Sequence, residues 1–174
     1  MIFEKTHLEG VYIITPEKKE DERGFFQRVL CKKEMAQMGI DFSIVNINSA
    51  YNKKTGTLRG LHKQLPPYEE TKLIHCVKGR IYDVAVDTRE NSKTFGQYVG
   101  VELSDENNKM LLVPKGYSHG YLTLCDDCQL VYYVDEYYAP DNEIGYKFDD
   151  KVFAINWPIN VEFISKKDDE FKYC

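Results

Sequence analysis

Turn signals break this chain roughly every ten residues, and that spacing excludes most folds before any other feature is weighed. Between the breaks lie short runs rich in β-branched and aromatic residues, at 11–14, 24–30, 43–50, 57–64, 72–77, 80–88, 94–103, 110–113, 119–124 and 129–135. The run 80–88 alternates cleanly: Tyr82, Val84 and Val86 face one way, Ile81, Asp83, Ala85 and Asp87 the other, which is the period of a strand. Residues 17–23 read as a charged loop and 52–56 as a polar turn. Helical character is confined to 32–38, stopped by Gly39, and to 166–171. The expectation is an all-β antiparallel sandwich or barrel with one or two short helices. With 174 residues and no repeat or linker, a single domain over 1–174 is expected.

Composition narrows the function. The net charge of -5 provides no basic field to recruit nucleic acid. No apolar run approaches the length that spans a bilayer, and the start Met1-Ile2-Phe3-Glu4-Lys5 lacks a signal-peptide pattern. A cytoplasmic protein with no membrane or nucleic-acid partner is expected. The five cysteines, an odd number, fit reduced thiols. Cys125-Asp126-Asp127-Cys128 is formally a CxxC, but it has no second pair at zinc spacing and no helix start. Its two carboxylates are expected to raise the thiol pKa values, and it reads as two thiols at a turn or strand end.

The chemistry concentrates in residues 57–87, TLRGLHKQLPPYEETKLIHCVKGRIYDVAVD, which hold Arg59, His62 and Lys72 close together. Taken singly, each is an ordinary surface or structural side chain. Together they form a base beside two cations, suited to an anionic substrate that loses a proton. Gly60 lets the backbone turn sharply or approach a ligand. Further on, His119 lies between Gly116 and Gly120 at an expected strand start. Tyr132 and Tyr133 must point to opposite faces of one strand. Asp168, taken alone, is a helix cap or a surface acid.

These motifs occur together in one known family. The chain resembles the dTDP-4-dehydrorhamnose 3,5-epimerases over nearly its whole length, from DERGFF (21–26) through TLRGLHKQ (57–64), TKLIHCVKGRIYDVAVDTRENSKTFGQYVGVELS (71–104), VPKGYSHGY (113–121) and WP (157–158) to SKKD (165–168). The resemblance implies a cupin-like jelly-roll barrel, no metal or cofactor, and a homodimer whose subunits exchange an N-terminal strand. It implies His62 as general base, Asp168 as the group that orients it, Tyr132 as general acid with Tyr133 turned away, and Lys72 near the sugar C4 oxygen. It places Arg59, His119, Arg23 and Lys167 on the nucleotide diphosphate or sugar, Asn46, Asn48 and Glu143 along the pocket, and Tyr138 and Phe26 around the base.

Elementary chemistry agrees with that assignment. A 4-keto sugar has acidic hydrogens at C3 and C5, because removing either gives an enolate on O4. Inversion needs a base on one face and a proton donor on the other; imidazole suits the first role, and a phenol that stays protonated suits the second. A fixed cation at O4 is typically worth ~10²–10³ in rate. By alternation, Asp83 on the next strand is expected to pair with Lys72. Three positions depart from the family pattern. Lys63 stands where an aromatic is common, Glu70 where Gln is usual, and Arg28 where the thymidine-nucleotide enzymes carry Glu. A guanidinium has only donors, so Arg28 suits the acceptors of cytosine better than the N3–H of thymine, and a CDP- or other NDP-linked sugar stays an alternative to dTDP. A C3-only epimerase is a second alternative. A metal-dependent cupin is a third, although the four histidines (His7, His62, His75, His119) contain no HxH pair. A non-catalytic sugar-nucleotide-binding jelly roll is the fourth, although it has no need of His62, Tyr132 and Asp168 together.

Overall fold

Period-2 patterning becomes two facing antiparallel sheets in the computed structural model, which covers residues 1–174. The strands are β1 (Ile2–Lys5), β2 (Tyr12–Thr15), β3 (Lys18–Asp21), β4 (Gly24–Gln27), β5 (Asn46–Asn52), β6 (Thr57–Gln64), β7 (Lys72–Lys78), β8 (Arg80–Asp87), β9 (Tyr98–Ser104), β10 (Met110–Val113), β11 (Tyr117–Thr123), β12 (Cys128–Val134), β13 (Glu143–Gly145) and β14 (Phe163–Ile164). Two short α-helices, α1 (Lys32–Gln37) and α2 (Lys166–Asp169), and one 3-10 turn at Pro140–Asn142 complete the set. One sheet runs β1-β2-β10-β7-β12-β5; the other runs β13-β6-β11-β8-β9, with β14 parallel to β6. Neither sheet closes on itself, and the architecture is the expected all-β, cupin-like jelly roll.

Apolar side chains occupy three layers. Between the sheets, Ile74, Cys76, Ile81, Ala85, Leu103, Leu111 and Leu130 form the largest cluster. Outside the first sheet, Met35 of α1 and Phe42 cover Ile14, Leu73, Met110 and Leu112. Outside the second, Phe153 packs on Leu61, Val84 and Val86, flanked by Tyr82, Tyr146 and Trp157. The expected alternation of β8 is present, but both of its faces are buried: Val84 and Val86 lie under the C-terminal segment, while Ile81 and Ala85 face the sandwich interior. Burying one such side chain stabilises by about 1.5–3 kcal/mol, so covering both faces of β8 makes it a rigid support.

Several boundaries differ from the sequence reading. The charged segment 17–23 contains β3, which pairs with β4 in a separate two-stranded hairpin. Backbone bonds hold it, and its side chains are all exposed, so no hydrophobic pattern announces it. The strand starting at Gly24 stops at Gln27, and β5 begins at Asn46. His119 sits inside β11 rather than at its start. The short β1, β13 and β14 carry no alternation of their own. No helix is long and apolar enough to cross a membrane.

Candidate active site

A cavity of about 510 Å³ opens between the two sheets. The first sheet supplies Asn46, Asn48 and Ala50 from β5, Lys72 and Ile74 from β7, and Leu130, Tyr132 and Val134 from β12. The second supplies Arg59 and His62 from β6, and His119 and Tyr121 from β11. Glu143 of β13, with Lys167 and Asp168 of α2, closes one side, and Tyr138 and Glu136 lie on the segment that follows β12.

On β12 the placement follows from regular geometry. From Leu130 to Val134 the strand pairs in unbroken register with β5 and β7, so every second side chain enters the cavity. Tyr132 therefore lines it, while Tyr133 packs against the outer cluster around Leu73. On β6 the geometry is irregular. Arg59 and His62 are three residues apart, so a regular strand would send them to opposite faces. Here His62 pairs with His119 and Arg59 with Tyr121, and the register shifts between them. One extra residue on β6 restores a common face, the signature of a β-bulge. Gly60 makes it possible: its φ is +109°, and a Cβ there would lie 2.6 Å from both Gly120 Cα and the His119 carbonyl oxygen. The displaced Leu61 turns outward into the cluster with Val84.

Hydrogen bonds fix the remaining groups. Arg59 Nε donates to Asn52 Oδ1 at 2.9 Å, and Asn52 Nδ2 donates to the Tyr121 hydroxyl at 3.2 Å. Gln64 Nε2 donates to the carbonyls of Tyr68 and Tyr137 while its Oε1 accepts from Ala139 N–H, which anchors the segment bearing Tyr138. Lys167 Nζ pairs with Glu143. Asp83, expected beside Lys72, instead lies 2.8 Å from His119 Nε2, a diagonal contact across the β8–β11 pairing, in which Asp83 is opposite Tyr121 and His119 opposite Ala85. Lys72 takes Glu70 as its partner, Nζ to Oε1 at 3.0 Å.

The expected His62–Asp168 hydrogen bond is not formed. Ser165 caps α2 by accepting from Asp168 N–H, and the Asp168 carboxylate accepts from Gly60 N–H at 3.4 Å. His62 Nδ1 is left buried without a partner. Burial, with the nearby Lys72 charge, holds the His62 pKa well below its ordinary value of 6.5. The ring is therefore neutral near pH 7 and able to accept a proton. Burial first, then the Glu70 charge, raises the Tyr132 phenol, which stays protonated. Burial also raises Asp168 above its ordinary value.

Arg23, Phe26 and Arg28 lie outside this cavity. They belong to, or directly follow, the β3–β4 hairpin, which pairs with neither main sheet. Phe26 is 65% exposed, Arg23 pairs with Asp21, and Arg28 Nη1 is 3.9 Å from Glu34. Lys63 points away from the cavity and donates to the carbonyls of Thr88 and Gly116. The sequence reading assigned no role to Glu70, Tyr121, Glu136 or Ser165. Continuing the alternation outward from Lys72 and Tyr132 would have marked Glu70 and Glu136. No three His, Cys, Asp or Glu side chains gather in metal-binding geometry. The Cys125 and Cys128 sulfurs are free and 3.4 Å apart in the β11–β12 turn. Burial, rather than the intervening carboxylates, is the first cause that pushes the Cys128 thiol up to about 11. Asp126 turns away to Thr55 and Lys54, and Asp127 to Tyr51.

Fold and site together define a class: a cupin-like jelly roll whose inter-sheet cavity carries a neutral imidazole, a protonated phenol and several cations. The sequence pattern of the dTDP-4-dehydrorhamnose 3,5-epimerase family matches residues 5–174. The Shigella flexneri enzyme of that name is 41% identical over 165 residues, 94% of this chain and 91% of its own. The Bacillus anthracis str. Ames dTDP-4-dehydrorhamnose 3,5-epimerase, solved with TDP and PPi bound, superposes with a TM-score of 0.96 at 40% identity over 99% of both chains. The dTDP-6-deoxy-D-glucose-3,5-epimerase of Legionella pneumophila Philadelphia 1, in complex with dTDP-4-keto-L-rhamnose, gives 0.94 at 36% identity over 99% of this chain and 92% of that one. The chain belongs to the dTDP-4-dehydrorhamnose 3,5-epimerase family, and its members are isomerases.

Proposed function

We propose that this protein epimerises a dTDP-linked 4-keto-6-deoxy sugar at C3 and C5. One observation carries the reading: His62 and Tyr132 enter one cavity from opposite sheets, so a sugar ring between them meets a base on one face and an acid on the other. Neutral His62 removes the proton next to the ketone. The electron pair moves onto O4, where the Lys72 ammonium stabilises the enolate. Tyr132 then delivers a proton to the opposite face, and the carbon is inverted. Removing and returning a proton in this way typically contributes 10²–10⁴-fold per positioned group. Asp168 supports His62 when the imidazolium forms, Arg59, His119 and Lys167 hold the diphosphate or sugar, Asn46, Asn48 and Glu143 complete the pocket, and Tyr138 stacks on the base.

Arg23, Phe26 and Arg28 act in this reading through a second copy of the chain. The β3–β4 hairpin stands apart from its own sheets with Phe25 and Phe26 more than half exposed. Exchanged across a homodimer, it brings those side chains to the partner cavity. The protein is proposed to work as one jelly-roll unit per subunit, in the cytoplasm. Purified protein given dTDP-4-dehydro-6-deoxy-glucose is expected to yield dTDP-4-keto-L-rhamnose by NMR; a product inverted only at C3 would identify a monoepimerase instead. Competition between dTDP and CDP reads the base: tighter dTDP binding is expected, and tighter CDP binding lost in Arg28→Ala would reassign the nucleotide.

A further inference from the structure

Glu70 stands two residues before Lys72, on the same side of the chain, and lines the same cavity. Its Oε1 is 3.0 Å from Lys72 Nζ, with the two side chains only 11% and 9% exposed. Neither group forms an ion pair with any other residue. The backbone around them is tied down on both sides. Thr71 N–H donates to Asp135 Oδ1, Asp135 N–H donates to the Thr71 carbonyl, and Lys72 pairs with Val134 and Val113 in the sheet. The geometry therefore gives the Lys72 ammonium one fixed anionic partner on a rigid strand entrance.

We propose that Glu70 is a positioning residue of this site: its carboxylate pins the Lys72 ammonium to the β7 wall and keeps that side of the cavity electrically neutral until a carbonyl oxygen arrives. The proposal rests on the functional reading above, in which Lys72 faces O4 and Tyr132 returns the proton. An unpaired ammonium at this depth would be costly to bury. It would also add to the positive charge that already disfavours protonation of His62. Pairing removes both penalties, and the developing enolate can then compete for an ammonium that is already in place.

The same carboxylate acts on Tyr132. Ionisable neighbours on several elements bear on that phenol: Glu70 before β7, Arg59 on β6, Glu143 on β13, Tyr138 beyond β12 and Tyr121 on β11. Glu70 is the foremost of them and favours the neutral phenol, whereas Arg59 favours the phenolate. Glu70 thus offsets the cation on the facing strand and adds to the burial that keeps Tyr132 protonated.

The test is a tyrosinate titration by ultraviolet difference spectroscopy, in which Tyr132→Phe subtracts every other tyrosine. In Glu70→Gln the Tyr132 transition is expected about one pH unit below its wild-type position, the usual scale for losing a nearby like charge. Glu70→Asp, which keeps the charge, is expected to restore most of that shift. Turnover near pH 7 is expected to fall about tenfold in Glu70→Gln, a loss of about 1.4 kcal/mol, and to recover in Glu70→Asp. A role confined to packing would lower turnover without moving the titration. If wild-type protein turns over 4-keto sugar but Tyr132 titrates identically in Glu70→Gln, the Glu70 proposal alone fails. If wild-type protein turns over no such sugar, the functional reading fails and takes this proposal with it.

Discussion

Strands β6 and β12 face each other across the cavity and present their reactive side chains by different means. On β12 the unbroken register lets simple alternation place Leu130, Tyr132 and Val134 inside. On β6 a bulge at Gly60 brings Arg59 and His62 to one face although their spacing is odd. The first arrangement costs nothing beyond a normal strand. The second depends on one glycine packed against Gly120 and the His119 carbonyl. Regular geometry thus holds Tyr132, the proposed acid, and a local irregularity holds His62, the proposed base.

Four experiments probe that contrast, in order of expected effect. His62→Ala should lower epimerisation about 10³-fold and abolish solvent exchange at the carbon next to the ketone, with cooperative unfolding retained. Exchange near the wild-type rate, followed by mass spectrometry, would move the base elsewhere. Tyr132→Phe should slow epimerisation about 10²-fold while leaving exchange largely intact, because abstraction does not need the opposite-face donor; Tyr133→Phe, on the same strand but outside the cavity, should change either rate less than about twofold. Gly60→Ala should cost about 2–4 kcal/mol in urea unfolding, from backbone strain and overpacking against backbone atoms. It should also reduce kcat/KM of the surviving folded protein far more than its KM. A Gly60→Ala protein with wild-type stability would mean that the bulge is not needed.

The smallest effect is on pH dependence. Since burial and Lys72 hold the His62 pKa well below 6.5, the ring stays neutral until the pH drops through that lowered value. The acid limb of kcat/KM should therefore lie below pH 6.5. Linkage has the same sign: a folded pKa below the unfolded one favours folding above about 6.5 and loses that contribution as the pH falls toward the folded value. A limb above 6.5 would show that the ring is better solvated, or better paired with Asp168, than its surroundings here imply.

The contrast also explains what could be read in the sequence. Alternation alone settled that Tyr132 and Tyr133 part company and that 80–88 is a strand with two distinct faces. Residue type and spacing marked Arg59, His62, Lys72 and His119 and motif resemblance gave them roles, but their meeting in one cavity depends on pairings between strands far apart in sequence. Nothing local could reveal the bulge, because Gly60 looks like any turn glycine until Gly120 is placed against it. The partner of Lys72 was misjudged for a related reason. Asp83 faces the interior as alternation requires, but β8 pairs with β11, so His119 reaches it first. Strand β3 reads as a loop because its side chains are charged and exposed, and the expected strand from Gly24 shortens to β4 because its side chains have no buried face. Arg23 and Phe26 of this hairpin, with the adjacent Arg28, lie outside the cavity of their own chain.

The central claim is that one base and one opposite-face acid act in turn on two carbons. Its most direct test is the deuterium count in sugar turned over in heavy water by wild-type protein, resolved by NMR at C3 and C5. One deuterium at each carbon, both carbons inverted and both signals lost in His62→Ala, is the predicted result. Deuterium at C3 alone after long incubation, or at either carbon in His62→Ala, would contradict it.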